Sequence, residues 1–144
     1  MKDLHGIGYE LRLSTSMEGA RASVQTALSS QGFGVLTDID VQATLREKLG
    51  VEVPEHVILG ACNPQLANEA LSQNPAVGLL LPCNVTLRQV GGEIVVSWLR
   101  PTLALGVMDD SGLTPVAEEA ERRLNLALAP LDPVKSDRAA PLSG

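Results

Sequence analysis

The chain has almost no aromatic residues, since Tyr9, Phe33 and Trp98 are the only three among 144. That scarcity excludes stacking platforms for bases and aromatic cages for cations, and it leaves Leu, Val, Ile and Ala to build the core. Positive charge is scarce as well. Eleven Lys and Arg against seventeen Asp and Glu leave a formal net charge of −6. The densest basic spots, Arg46 with Lys48 and Arg122 with Arg123, are interleaved with Glu47 and Glu121. No basic stripe stands ready to neutralise phosphates, so nucleic acid is not an expected partner. Long apolar runs are also missing: the longest, Val77 to Pro82, is far below the roughly 18 residues that span a bilayer, so no membrane partner is expected. Met1-Lys2-Asp3-Leu4-His5-Gly6 contains no apolar signal-peptide segment. The expectation is a cytoplasmic protein whose two cysteines, Cys62 and Cys83, are reduced thiols.

What the chain has is aliphatic content, 44% hydrophobic overall, sufficient to close one core at this length. Strict alternation over Ile7, Tyr9, Leu11 and Leu13 predicts a half-buried strand. Thr15-x-x-Glu18 reads as a capping box opening a helix through Met17, Ala20, Val24, Ala27 and Leu28, closed by Gly32. Phe33 to Ile39 reads as a second strand, followed by a short helix capped by Asp40 with Val41, Leu45 and Leu49 apolar, ending at Gly50. His56 to Cys62 is a continuous apolar strand, and Asn63-Pro64 starts a helix that buries Leu66, Ala67, Ala70 and Leu71 and stops at Asn74-Pro75. Val77 to Val90 reads as one long strand with a bend or an edge position at Pro82, joined by a Gly91-Gly92 hairpin to Glu93 through Leu99. Thr114-Pro115 caps a final helix carrying Val116, Ala120, Leu124, Ala127 and Leu128 on one face. These elements define an α+β domain over 1–130 and an irregular tail over 131–144.

One echo carries candidate chemistry: Cys62-Asn63-Pro64 and Pro82-Cys83-Asn84 each set a Cys-Asn pair beside a proline. If the strands starting at His56 and Val77 were parallel neighbours in register, the 21-residue offset between their starts would also bring Cys62 beside Cys83. Cys62 precedes a helix N-terminus, whose amides favour a thiolate or an anion. A buried packing role is the plainer account of both thiols. His5 and His56 complete a formal two-Cys two-His set, but no CxxC or HxxxH spacing exists, so no metal is expected. Gly32-Phe33-Gly34 and Gly6-Ile7-Gly8 are only fragments of a nucleotide loop. Asp38 and Asp40 alternate on a strand, and Asp109-Asp110 fall in a turn, positions where solvation or capping explains them.

Four ordered motifs run through the chain: Gly32-Phe33-Gly34-Val35-Leu36-Thr37, Leu45-Arg46-Glu47-Lys48-Leu49-Gly50, Ile58-Leu59-Gly60-Ala61-Cys62-Asn63-Pro64 and Gly78-Leu79-Leu80-Leu81-Pro82-Cys83-Asn84-Val85. In these it resembles the domain of unknown function 302 family. The resemblance implies a small α+β domain, a single mixed or antiparallel-containing sheet of about five strands with three to four helices packed on it, and a homodimer. It supplies no activity and no cofactor. It adds Lys48 to the two Cys-Asn pairs, and it implies an acid before the proline where Arg100 stands. The candidate site is therefore Cys62, Asn63, Cys83, Asn84 and Lys48. The expected function is binding of a small molecule or an anion near the Cys62-Asn63-Pro64 helix start, or an interaction with another protein. The alternative is a thiol enzyme or redox sensor using Cys62 with Cys83.

Overall fold

The computed structural model describes residues 1–133. Six strands form one antiparallel sheet: β1 (Lys2–Leu4), β2 (Gly8–Leu13), β3 (Gly34–Asp40), β4 (His56–Cys62), β5 (Cys83–Val90) and β6 (Glu93–Leu99), in the order β1-β2-β6-β5-β4-β3. The α-helices are α1 (Met17–Ser30), α2 (Val41–Leu49), α3 (Pro64–Gln73), α4 (Pro101–Gly106) and α5 (Thr114–Leu128). The α+β class stands, with one strand more than the expected five. The extra strand, β1, is three residues long and pairs Lys2, Asp3 and Leu4 with Glu10, Tyr9 and Gly8. It is too short to show a period of two in the sequence.

Alternation sets the layers. Val57, Leu59 and Ala61 of β4, Val85 and Leu87 of β5, and Val96 and Trp98 of β6 are buried in one cluster with Val24 and Leu28 of α1 and Leu124 and Leu128 of α5. A second cluster gathers Leu66 and Ala70 of α3, Val77, Leu105 of α4, and Val116 and Ala120 of α5. Two of the three rings fill the first cluster, Phe33 and Trp98, and the Trp98 indole N–H donates to Asn125 Oδ1 at 2.9 Å. Tyr9 packs against it, 5.9 Å from Trp98 between ring centroids.

Several local readings hold. Asp40 caps α2 by accepting from the Ala43 amide, Gly50 ends that helix in the left-handed region, and Gly91, φ 59°, opens the β5–β6 turn. Gly32, φ 81°, follows α1 with its N–H on Ser29 O and the Phe33 N–H on Leu28 O, the Schellman arrangement.

Others need correction. The α1 cap is Ser16, accepting from Gly19 N at 3.0 Å, rather than Thr15. A Cβ on Gly19 would lie 2.4 Å from Thr15 Oγ1, so the glycine makes room for the shifted cap. Val77 to Val90 is not one strand. Asn74 accepts from the Ala76 amide, Pro75 opens a 3-10 helix over Pro75–Leu80, the Leu81-Pro82 bond is cis, and β5 begins only at Cys83. Asn-Pro is a helix stop and also a helix start; at 74–75 it is both. Thr114 does not cap α5 with its side chain, and Asp110 instead caps a 3-10 turn over Ser111–Leu113. Leu71, expected in the core, is 39% exposed, and no residue of α2 is buried. Leu131 packs on the main core and the buried Asp132 pairs with the amine of Met1; positions 134–144 of the expected tail lie outside the described residues.

Candidate functional site

The two Cys-Asn segments meet, though not by the parallel register that the offset required. β4 and β5 are antiparallel, and Ala61 pairs with Cys83, Gly60 with Asn84. Cys62 therefore ends its strand where Cys83 begins the next, one position beyond the pair. Both are free thiols on the wall of a cavity of about 40 Å³ that lies between the two core clusters. Phe33, Ala61 and Pro82 bound it on the sheet side, Leu66 and Ala70 on α3, and Pro101, Ala104 and Leu105 on α4. The half-exposed members Ala67, Leu81 and Ala104 mark its solvent side.

Asn63 is the buried polar residue of this wall, 6% exposed, and both ends of its amide are hydrogen-bonded. Oδ1 accepts from the Leu66 N–H at 3.2 Å, and Nδ2 donates to Gln31 O at 3.3 Å. One side chain thus caps α3 and ties its start to the end of α1. It also reduces what this helix start can offer an anion: Pro64 has no N–H, and the Leu66 N–H is already taken.

Burial dominates the thiols. It raises the Cys62 pKa above its ordinary value, and pushes Cys83 from 9.0 up to about 11, with a smaller push from the neighbouring Cys62. The helix start does not create a ready thiolate at either sulfur.

The remaining expected site residues lie elsewhere. Asn84 is exposed on the opposite sheet face, where it lines a shallow groove with Leu4, Ile7, Thr86 and Leu99. Lys48 is exposed on α2, which follows β3 at its Asp40–Val57 end; Cys62 pairs with Gly34 at the other end. Among the described residues no group of three or more His, Cys, Asp and Glu could hold a metal ion. His56 and Cys62 are opposite ends of β4.

The α4 wall was invisible in the sequence because α4 has no cap of its own. Glu121 on α5 caps it from a distance, with Oε1 accepting from Thr102 N at 3.2 Å and from Thr102 Oγ1 at 2.6 Å. Arg100, standing where the resemblance implies an acid, holds Asp3 at 2.9 Å, approaches Glu121 at 3.8 Å and lies 4.7 Å from the Tyr9 ring centroid. The Tyr9 hydroxyl donates to Glu121 at 2.8 Å. The exchange thus serves a network that joins β1, β2, α4 and α5.

No helix among the described residues is long and apolar enough to cross a membrane. No curated protein matches the chain. A crystal structure of an uncharacterized conserved protein DUF302 from Bacillus stearothermophilus is similar to it, with 35% sequence identity, a TM-score of 0.80, and coverage of 85% of this chain and 96% of that one. The family model described as "Domain of unknown function DUF302" matches residues 9–131, the whole span from β2 to the turn after α5. Sequence, sheet and neighbour agree, and the chain belongs to the DUF302 family.

Proposed function

We propose that the domain binds a small apolar ligand, or the apolar end of a larger one, in the cavity bounded by Cys62, Asn63 and Cys83. The carrying observation is the contrast between the lining and its polar groups: an aliphatic wall in which both ends of the Asn63 amide already hold protein partners and the sulfurs are held as thiols. A water needs roughly 10–15 Å³ of such space and two to four polar partners. The cavity's volume of about 40 Å³ accepts about three such groups, but its walls offer them few partners. An alkyl group suits it better.

A thiol-based reaction is the second reading, favoured by the convergence of Cys62 and Cys83 on one wall. It needs a thiolate, and burial works against one. The proposal includes self-association as a homodimer through the sheet face opposite α1 and α5, where Ile7 is 51% exposed beside the groove lined by Leu4 and Leu99. Light scattering that returns a particle of about 30 kDa supports it, and a 15.2 kDa particle at micromolar concentration removes it.

The test of binding is a methyl NMR titration with 1-butanol, on the wild type and on Ala104→Leu, which enlarges a side chain of the cavity's α4 wall. Saturable shifts at Ala61, Leu66 and Leu105 that vanish in Ala104→Leu support the site. Absence of saturable shifts there in the wild type overturns it.

A further inference from the structure

At the opposite end of the β4–β5 pair the chemistry reverses. His56 and Arg88 are direct cross-strand partners, and both line a groove of about 210 Å³ with the apolar residues Val41, Leu45, Val53 and Pro54. Arg88 is unusual among the described arginines. The other six, Arg12, Arg21, Arg46, Arg100, Arg122 and Arg123, are all held in ion pairs. Arg88 has neither an ion pair nor a side-chain hydrogen bond among the described residues, in a chain where acids outnumber bases by seventeen to eleven. Its methylenes have an account in packing: Val95, registered against both Arg88 and Arg12, is fully buried although it faces away from α1 and α5. Its guanidinium has none.

The groove is held rather than accidental. Gln42 Nε2 donates to Val53 O at 3.0 Å, and the Gln89 N–H donates to Glu55 O at 2.8 Å, fixing the 50–55 connection against α2 on one side and β5 on the other. Val41, Leu45 and Lys48 fall at i, i+4 and i+7 of α2, one stripe of that helix. Lys48 is the second cation without an ion-pair partner among the described residues. The groove lining itself carries one cation, Arg88, and one carboxylate, Glu55; Lys48 lies outside the lining, and Arg46 is already neutralised by Glu52 at 3.0 Å. With His56 neutral, the formal balance of the lining is 1 − 1 = 0.

The geometry points to a second binding site, specific for a small aliphatic monocarboxylate. The Arg88 fork and an His56 ring N–H would receive the carboxylate, and Val41, Leu45, Val53 and Pro54 would cover the alkyl body. A single carboxylate matches the one guanidinium that lines the groove, whereas a polyanion would meet Glu55. This site is separate from the Cys62–Cys83 cavity and shares no lining residue with it.

The test is a ¹⁵N and methyl NMR titration with sodium hexanoate, with 1-hexanol as the uncharged control, on the wild type, Arg88→Gln and Ala104→Leu. The expected result is saturable shifts at Val53, Glu55, His56 and Gln89, at least tenfold weaker binding in Arg88→Gln, at least tenfold weaker binding of hexanol at these positions, and no change in Ala104→Leu. Arg88→Gln removes no intramolecular partner, so it keeps the fold and isolates the anion contact. No saturable shift at these residues in the wild type overturns the site, and so does equal affinity in Arg88→Gln. Loss of the butanol response at Ala61 leaves this result unaffected, so the two sites fail separately.

Discussion

The two ends of the β4–β5 pair present opposite solutions to the same local problem, which is how to finish an antiparallel ladder beside a helix. At the Cys62 end the polar groups are turned inward: Asn63 caps α3 and bonds Gln31, and burial favours the protonated thiols. At the His56 end a guanidinium stands in a groove without a hydrogen-bond or ion-pair partner among the described residues. A helix start whose Leu66 N–H is already capped and thiols raised above their ordinary pKa offer an anion less than an unpaired guanidinium does. What distinguishes each end is the balance between polar groups supplied and polar groups used.

The hardest way to break the comparison is through the sheet that joins the two ends. Leu59→Ala, at a fully buried position of β4, should cost about 2–5 kcal/mol in urea unfolding. Arg88→Gln, five residues in from the start of β5, should lie within about 0.5 kcal/mol of wild type. If the two cost the same, the assignment of buried and open faces is wrong. Asn63→Ala comes next, expected to cost about 1–3 kcal/mol because it strands the Leu66 N–H and Gln31 O in a buried place. Asn63→Asp keeps the acceptor for Leu66 but loses the donor to Gln31, so it should fall between wild type and alanine in the same measurement.

The thiols sharpen the comparison through pH. The folded Cys83 pKa lies above its ordinary 9.0, at about 11, so the unfolded chain ionises first. Its contribution to stability is full below about pH 9 and is lost as pH rises through about 11. Iodoacetamide rates against pH should show Cys62 reacting at lower pH than Cys83, with both above an ordinary thiol; a Cys83 that titrates near 8.5 contradicts the buried wall. The smallest effect is expected for Arg21→Gln. It removes an exposed bidentate pair with Asp38, at 2.8 and 3.1 Å, and should cost under about 1 kcal/mol, less at high salt.

Elements governed by short-range chemistry were legible in the sequence. The caps at Asn63-Pro64 and Asp40 and the turns at Gly32 and Gly91 each act within four residues, and each does what its residue type dictates. Elements governed by distant groups were not. The cap of α4 is Glu121, nineteen residues away from Thr102, and no window along the chain contains both. Asn74-Pro75 was ambiguous for a different reason, since stop and start share one signal and only the burial of Val77 shows that a 3-10 helix continues. At the candidate site the pairing of two thiol segments could be guessed from their echo, but their antiparallel register and the separation of Asn84 and Lys48 could not. Arg88 drew no attention because its distinction is relational: it stands out only once long-range pairs such as Arg21–Asp38 and Arg100–Asp3 are known.

The most direct measurement is one NMR experiment on three proteins, wild type, Ala104→Leu and Arg88→Gln, each titrated with 1-butanol and with hexanoate. The account predicts a crossed result, in which Ala104→Leu loses the butanol response at Ala61 and Leu105 and keeps the hexanoate response at His56 and Gln89, while Arg88→Gln does the reverse. Both ligands moving the same residues, or both variants losing the same response, would contradict it.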